Sequence, residues 1–302
     1  MPKPTPPAPP AIGGAQAPGF HRFRIGAFEA IAAHDGVLVR DRPAGFVRNA
    51  TDAEVGEAYA AAGMARDKLT ITFTPLAINT GSQVVLIDTG FGEHGPPGTG
   101  TLLANLAAAG IAPEQVGTVI LSHFHGDHIS GLRRKDDSLV FPNAQIAVPQ
   151  GEWDYWMDDA RMNAAPDAAK GNFALVRRML GPVANDVRRF AWDEEILPGF
   201  TAVKASGHTP GMSAVRITSG DAGMMFVADI TNNPLVFARH PEWQAVFDID
   251  PNDAVATRKR LLDQAAAEKL RVSFFHAPFP ATGYILKSGS GFEFVPALWT
   301  TT

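Results

Sequence analysis

Three histidines and an aspartate fall within six residues, in the run His123-Phe124-His125-Gly126-Asp127-His128. Neutral imidazole and carboxylate suit zinc, iron or manganese. The chain has no cysteine, so any metal must be held by nitrogen and oxygen, and disulfides and thiol nucleophiles are excluded. His123 and His125 are two residues apart, which in extended chain points both side chains the same way. Gly126 then permits a sharp turn that brings Asp127 and His128 round to a second, adjacent position. With only nine histidines in the whole chain, a surface loop that is histidine-rich by accident explains this density poorly.

Three more candidates lie downstream, each after a short apolar run. They are His208 in Ser206-Gly207-His208-Thr209-Pro210-Gly211, Asp229 closing Phe226-Val227-Ala228-Asp229, and His276 after Ser273-Phe274-Phe275. Singly, each has a plainer reading: a turn residue, a cap and a satisfied core histidine. Together they fit a pattern in which polar residues at strand ends converge on one rim of a sheet. Seven ligands are too many for one tetrahedral ion, so two divalent ions are expected, zinc before iron. Asp88 is a candidate to accept the outer N–H of a ligating histidine, and reads equally well as a turn aspartate.

The elements that must position these residues alternate along the chain. Short strands are expected over residues 23–32 and 37–39, joined by a hairpin turn at His34-Asp35-Gly36, and over 69–78, 83–88, 119–121 and 144–148. Further strands are expected over 202–205, 213–217, 224–228 and 272–275. Helices are expected over 52–64, 102–109, 151–180 and 254–269. Strands and helices mix throughout, without an internal repeat or a dividing linker, which favours one layered α/β domain over residues 22–302. Residues 1–21, rich in proline and alanine, read as an extended or disordered tail.

Composition narrows the partners. The chain of 302 residues is 45% hydrophobic and carries a formal net charge of -5. That is enough to bury a large core, and it lacks the basic footprint of a nucleic-acid binder. The clusters Arg133-Arg134-Lys135 and Arg258-Lys259-Arg260 read as solvated surface. No run of about 18 apolar residues is present to span a membrane. A small-molecule substrate is therefore expected, with no nucleic acid and no membrane; a homodimer is left open. A cytoplasmic location is the default expectation, and a periplasmic one follows if a signal segment has been removed.

The five separated motifs, Asp88-Thr89-Gly90, His123-x-His125-x-Asp127-His128, His208, Asp229 and His276, stand in an order that resembles the metallo-β-lactamase superfamily. The resemblance covers roughly residues 22 to 298. It implies a four-layer αββα sandwich in which His123, His125 and His208 hold one metal, Asp127, His128 and His276 the other, and Asp229 bridges both. Within that superfamily the chain is similar to the methyl parathion hydrolase branch and its lactonase and arylesterase relatives. The shared segments are Phe141-Pro142-Asn143-Ala144, Ala165-Pro166-Asp167, Lys170-Gly171 and Phe294-Val295-Pro296, with Trp156 matching a pocket tryptophan. Departures are Met212 after the His208 loop, His94 or Gly95 in place of one pocket phenylalanine, and Asn172 in place of another.

The resemblance implies hydrolysis of small neutral esters or lactones by water activated between the two ions, with phosphotriesters as weaker substrates. An iron redox enzyme and a β-lactam hydrolase are the alternatives on the same fold. Asp127 is the candidate to shuttle a proton, and Tyr155 and Tyr284 are undecided donors for a leaving group. Trp156, Phe173, Phe91 and Trp153 are the candidate pocket walls. No arginine lies in the motif loops to pair with an anion.

Overall fold

The computed structural model describes residues 16–299. The tail expected over residues 1–21 lies outside the described residues for its first fifteen positions, and Phe20 already opens the first strand. The chain begins with a hairpin, β1 (Phe20–Ile25) and β2 (Phe28–Ala33), where one strand over 23–32 was expected. β3 (Gly36–Asp41) and β4 (Lys68–Phe73) follow, with helix α1 (Asp52–Ala61) between them, capped by a Thr51/Glu54 capping box. The expected hairpin at Asp35-Gly36 does not form. β2 pairs with β1 and β5 (Leu76–Asn79), while β3 pairs with β4 as a separate two-stranded ribbon. The reason is Asp35, whose buried carboxylate accepts from Phe91 N (2.8 Å) and Leu102 N (3.1 Å) and so ties the chain to a distant loop. The single strand expected over 69–78 is likewise two strands in different sheets, broken at Thr74-Pro75, where proline offers no N–H to a ladder.

The chain continues through β6 (Val84–Ile87), α2 (Leu102–Ala108), β7 (Val116–Ile120), the short α3 (Gly126–Ile129) and β8 (Gln145–Pro149). The helical region expected over 151–180 is three helices, α4 (Gln150–Trp156), α5 (Asp159–Ala164) and α6 (Asp167–Leu180). Asp158 caps α5 by accepting from Ala160 N and Arg161 N, and Pro166 precedes α6. β9 (Arg188–Phe190) completes the first sheet, in the order β1-β2-β5-β6-β7-β8-β9.

The second sheet is built from β10 (Glu195–Leu197), β11 (Phe200–Lys204), β12 (Ser213–Ser219), β13 (Ala222–Phe226), β14 (Arg271–Ser273), β15 (Thr282–Ser288) and β16 (Gly291–Pro296), paired in that order. Helices α7 (Pro234–Phe237) and α8 (Pro251–Ala267) lie between β13 and β14.

Alternation along the central strands explains the layers. Val85 and Ile87 of β6 point into the core shared by both sheets, whereas Leu86 points into a second core beneath α2, α4 and α6. Ile120 and Ala147 join the first core, and Val119, Ile146 and Val148 join the second. A parallel strand buried on both faces reads as a near-continuous apolar run. Leu261, Leu262 and Ala265 fix α8 on the outer side of the second sheet. The result is the expected αββα sandwich. β6, β7 and β8 run parallel, as do β13 and β14, so their C-terminal ends share a rim.

Two loops on that rim meet backbone to backbone. A Cβ on Gly211 would lie 2.0 Å from the amide nitrogen of Glu152, at the start of α4. Gly211→Ala is expected to cost about 1–3 kcal/mol through overpacking and to lower the thermal midpoint. Gly171→Ala, in open space on α6, should be neutral or stabilising by up to about 1 kcal/mol. Calorimetric melting of both variants checks this; equal melting temperatures would refute the close-contact account.

Candidate metal centre

Each functional side chain leaves the end of a strand. Asp88 follows β6, His123 and His125 follow β7, His208 sits between β11 and β12, Asp229 follows β13 and His276 follows β14. Asp88 and Ala228 adopt positive φ, at 60° and 48°, where each strand turns sharply at the rim; for alanine this conformation costs about 1 kcal/mol or more. Gly207 has φ +122°, and a Cβ there would lie 2.1 Å from Ala254 N, so only glycine lets the His208 loop seat on the start of α8.

The seven residues form two adjoining clusters. His123, His125 and His208 each offer an atom within 4.8 Å of the others, as do Asp127, His128, Asp229 and His276. The outer hydrogen bonds fix the tautomers. His128 Nδ1–H donates to Asp88 Oδ2 (2.8 Å), His208 Nδ1–H to Asp248 Oδ1 (2.9 Å) and His276 Nδ1–H to the Thr72 carbonyl (2.8 Å). Ser122 Oγ–H is spent on Asp88 Oδ2, so the oxygen accepts from His123 Nδ1–H at 3.1 Å. Each of these four rings therefore turns its Nε2 inward, and that of His276 lies 2.9 Å from Asp229 Oδ2. His125 adds its Nδ1, 2.9 Å from His208 Nε2 and 3.2 Å from His123 Nε2.

Three ring nitrogens at such distances repel one another unless a proton or a cation lies among them. His128 Nε2 and Asp229 Oδ1, both buried, have no hydrogen-bond partner among the described residues, although buried polar atoms are ordinarily paired. The donor set, the facing lone pairs and the unpartnered atoms fit divalent cations. Asp229 serves both clusters: Oδ2 lies 2.9 Å from His276 Nε2 and 3.4 Å from His208 Nε2, and Oδ1 lies 3.4 Å from His128 Nε2.

Electrostatics divides the clusters in the same way. Burial, and then the neighbouring imidazoles, push His123 well below its ordinary pKa and His125 down to about 3. Burial also opposes charge on His128 and His276, but Asp229 and Asp127 overcome it, lifting His128 well above its ordinary value and His276 to about 10. Burial raises the Asp127 and Asp229 carboxyls, yet the adjacent histidines hold both well below the usual range. The second cluster thus attracts positive charge, and the first presents bare nitrogen.

Three supporting residues escaped the sequence reading. Asp248 orients His208 and lies 3.5 Å from the guanidinium of Arg258, which donates to the carbonyls of Ile230, Pro241 and Trp243. Arg258 is buried, which corrects its reading as surface. It shares the inner face of α8 with Ala254, Leu261 and Leu262, a helical spacing that carried the signal. Arg133 is also buried, donating to the Met179 and Asp137 carbonyls. Glu152 lies wholly buried and accepts from Phe124 N (3.0 Å), Gly211 N (2.7 Å) and Trp156 Nε1 (2.8 Å). It joins both histidine loops to the cleft wall, and burial raises its pKa. Its place one helical turn before Trp156 was the only hint in the sequence.

A cleft of about 1100 Å³ opens over the centre. Trp156, Phe173, Phe91 and Tyr155 line it, with the Trp156 ring centroid 6.1 Å from that of His125. Trp153 does not line it: the ring packs in the core below α4 under the Arg189 guanidinium, 4.3 Å away. Tyr284 is exposed on β15, away from the cleft lining. Asn172 reaches the cleft beside Phe173, whereas His94 bonds the Arg133 carbonyl elsewhere.

The family model of the metallo-beta-lactamase superfamily matches residues 76–276, from β5 to the last histidine of the centre, and the chain belongs to that superfamily. A mouse (Mus musculus) protein, metallo-beta-lactamase domain-containing protein 1, is 37% identical over 67 residues, which are 22% of this chain and 24% of that protein. The chain thus spans about a quarter of that curated relative's length. Among solved structures, it is similar to AidC, a dizinc quorum-quenching lactonase in complex with the product N-hexanoyl-L-homoserine. That similarity has 28% identity and a TM-score of 0.88, over 94% of this chain and 99% of the other. It is similar also to the hydrolase AbOPH of the beta-lactamase superfamily, at 25% identity and a TM-score of 0.88, over 95% and 100% of the two chains.

The supports make a stability prediction. Arg258→Met leaves the Asp248 carboxylate buried without its counter-charge, and breaking such a pair costs about 3–5 kcal/mol. Glu152→Gln turns an amide NH2 toward N–H donors and should cost about 1–3 kcal/mol. Denaturant midpoints should fall for both, Arg258→Met more; unchanged midpoints would contradict the assigned contacts.

Proposed function

We propose that this chain is a hydrolase that opens small lactones and esters with two divalent ions, zinc first among them. His123, His125 and His208 would hold one ion, and Asp127, His128 and His276 the other, with Asp229 between. The observation that carries this reading is the convergence of five ring nitrogens and two carboxylates on the floor of a cleft, with His125 Nδ1 only 2.9 Å from His208 Nε2 and 3.2 Å from His123 Nε2. The similarity to a dizinc lactonase structure with its ring-opened product supports the substrate class.

Ions bound there supply Lewis acidity, lowering the pKa of water from 15.7 toward about 7 and polarising a carbonyl oxygen. The chain supplies the rest. The outer hydrogen bonds from His123, His128, His208 and His276 hold the rings at fixed angles. Phe91, Trp156 and Phe173 seat an apolar acyl part and exclude water from it. Asp127 has a side chain 19% exposed and faces the cleft, so its carboxylate takes the proton from the attacking water and returns it to the leaving oxygen. Tyr155, on the wall, positions the leaving group. Asn172, polar where the phosphotriester-cleaving relatives have an aromatic residue, makes phosphotriesters the weaker substrates.

Two measurements test this reading. Elemental analysis of saturated protein should find close to two divalent ions per chain. Asp229→Ala should lower occupancy at both positions while His276→Ala weakens mainly one; a single ion with full activity, or undisturbed occupancy in Asp229→Ala, would overturn the assignment. In a panel of lactones, aryl esters, β-lactams and phosphotriesters, kcat/KM should be highest among the lactones and aryl esters. If a β-lactam leads, the substrate class is wrong; if iron is found together with oxygen consumption, hydrolysis itself is.

A further inference from the structure

The cleft floor carries the chemistry, but its mouth carries charge that the chemistry does not use. Arg40 and Arg48 both line the cleft. In β3, Val37 and Val39 face solvent, so the period-two alternation turns Leu38 and Arg40 inward to the cleft. The Arg40 guanidinium lies 5.8 Å from the Phe247 ring centroid. Arg48 reaches the same short segment from the chain after β3, donating to the carbonyls of Val246 (3.0 Å) and Asp248 (3.3 Å). Two cations are thus brought to one four-residue stretch, 246–249, whose Val246, Phe247 and Ile249 side chains form an apolar bed beside them.

Neither cation is neutralised. Among the described residues no carboxylate lies within 4.0 Å of Arg40 or Arg48, whereas the nearby Arg42 pairs with Asp52, and Arg161, the third arginine of the lining, pairs with Asp158. The carboxylates lining the cleft are Asp127, Asp229 and Asp248, and all three are committed to the histidines of the centre. In a chain of net charge -5, two unpaired guanidiniums beside one apolar surface are not the average of the sequence. A guanidinium recognises an oxyanion through paired N–H donors. Arg48, already held by two carbonyls, keeps Nε and its other terminal nitrogen free.

We propose that Arg40 and Arg48 form an anion-binding subsite, and that the substrates of this centre carry a carboxylate or similar anionic group at the end remote from the reacting carbonyl. Such a substrate departs from the expectation of a neutral one, which rests on the motif loops alone. The substrate preference rests on the hydrolase reading above; the subsite itself does not.

The subsite is tested by calorimetric binding of hexane-1-sulfonate, with hexan-1-ol as the uncharged control, to the metal-loaded full chain. The sulfonate should bind about tenfold tighter than the alcohol at low salt, and the advantage should shrink at high salt. Arg40→Gln/Arg48→Gln should remove most of that advantage. Arg40→Gln alone, at an exposed side chain with no hydrogen bond to lose, should remove part of it. Equal sulfonate binding in wild type and double variant overturns the proposal, as does no advantage over the alcohol. In turnover, an aryl hemi-ester of a dicarboxylic acid should be preferred to the neutral ester of equal length, with the ratio of kcat/KM falling about tenfold in the double variant. If neither ester is cleaved, the hydrolase reading fails while the sulfonate data still decide the subsite.

Discussion

Everything at the rim follows from one electrostatic constraint: ring nitrogens and carboxylates crowded together in a buried place, where their lone pairs repel one another. An imidazole left to itself would rotate, protonate or find water. Here the outer nitrogen of four rings is occupied by Asp88, Ser122, Asp248 or Thr72, so the inner nitrogen is turned toward the centre. The folded chain accepts that repulsion because the sandwich over-determines the strand ends, and the arrangement becomes favourable only with positive charge inside it. The fold thereby stores an affinity for cations.

The supports show how that constraint spreads. Asp248 must stay oriented, so a guanidinium is buried behind it and satisfied by three carbonyls from the segment between β13 and α8. The loops bearing His123, His125 and His208 must keep a common geometry, so Glu152 accepts from both and from a wall tryptophan. Changes in the wall are therefore felt at the ligands through one carboxylate.

The seven residues of the two clusters were legible because they are polar residues placed abruptly after apolar strands, with four of them nearly contiguous. The two-sided burial of β6 to β8 was legible as apolar runs. The ribbon was not: Asp35-Gly36 carries the local signature of a hairpin, and only a long-range contact, Asp35 to the Phe91 and Leu102 amides, reveals that the chain leaves the sheet there. Glu152, Asp248 and Arg258 escaped for the same reason. Their partners are set by tertiary packing, such as the 59 residues that separate Glu152 from Gly211. Trp153 was misplaced because residues three apart on a helix share a face yet still differ by about 60° in direction, and its ring packs in the core under Arg189.

The ribbon β3–β4 pairs with neither large sheet, yet its inner strand supplies the Thr72 carbonyl that fixes His276, and its outer strand carries Leu38 and Arg40 over the cleft. The same flap is thus doorway and buttress. A ribbon swung outward to admit a bulky molecule would drag the Thr72 oxygen away from the imidazole and unsettle a ligand. The position of the ribbon and the bearing of His276 are thus coupled through one hydrogen bond.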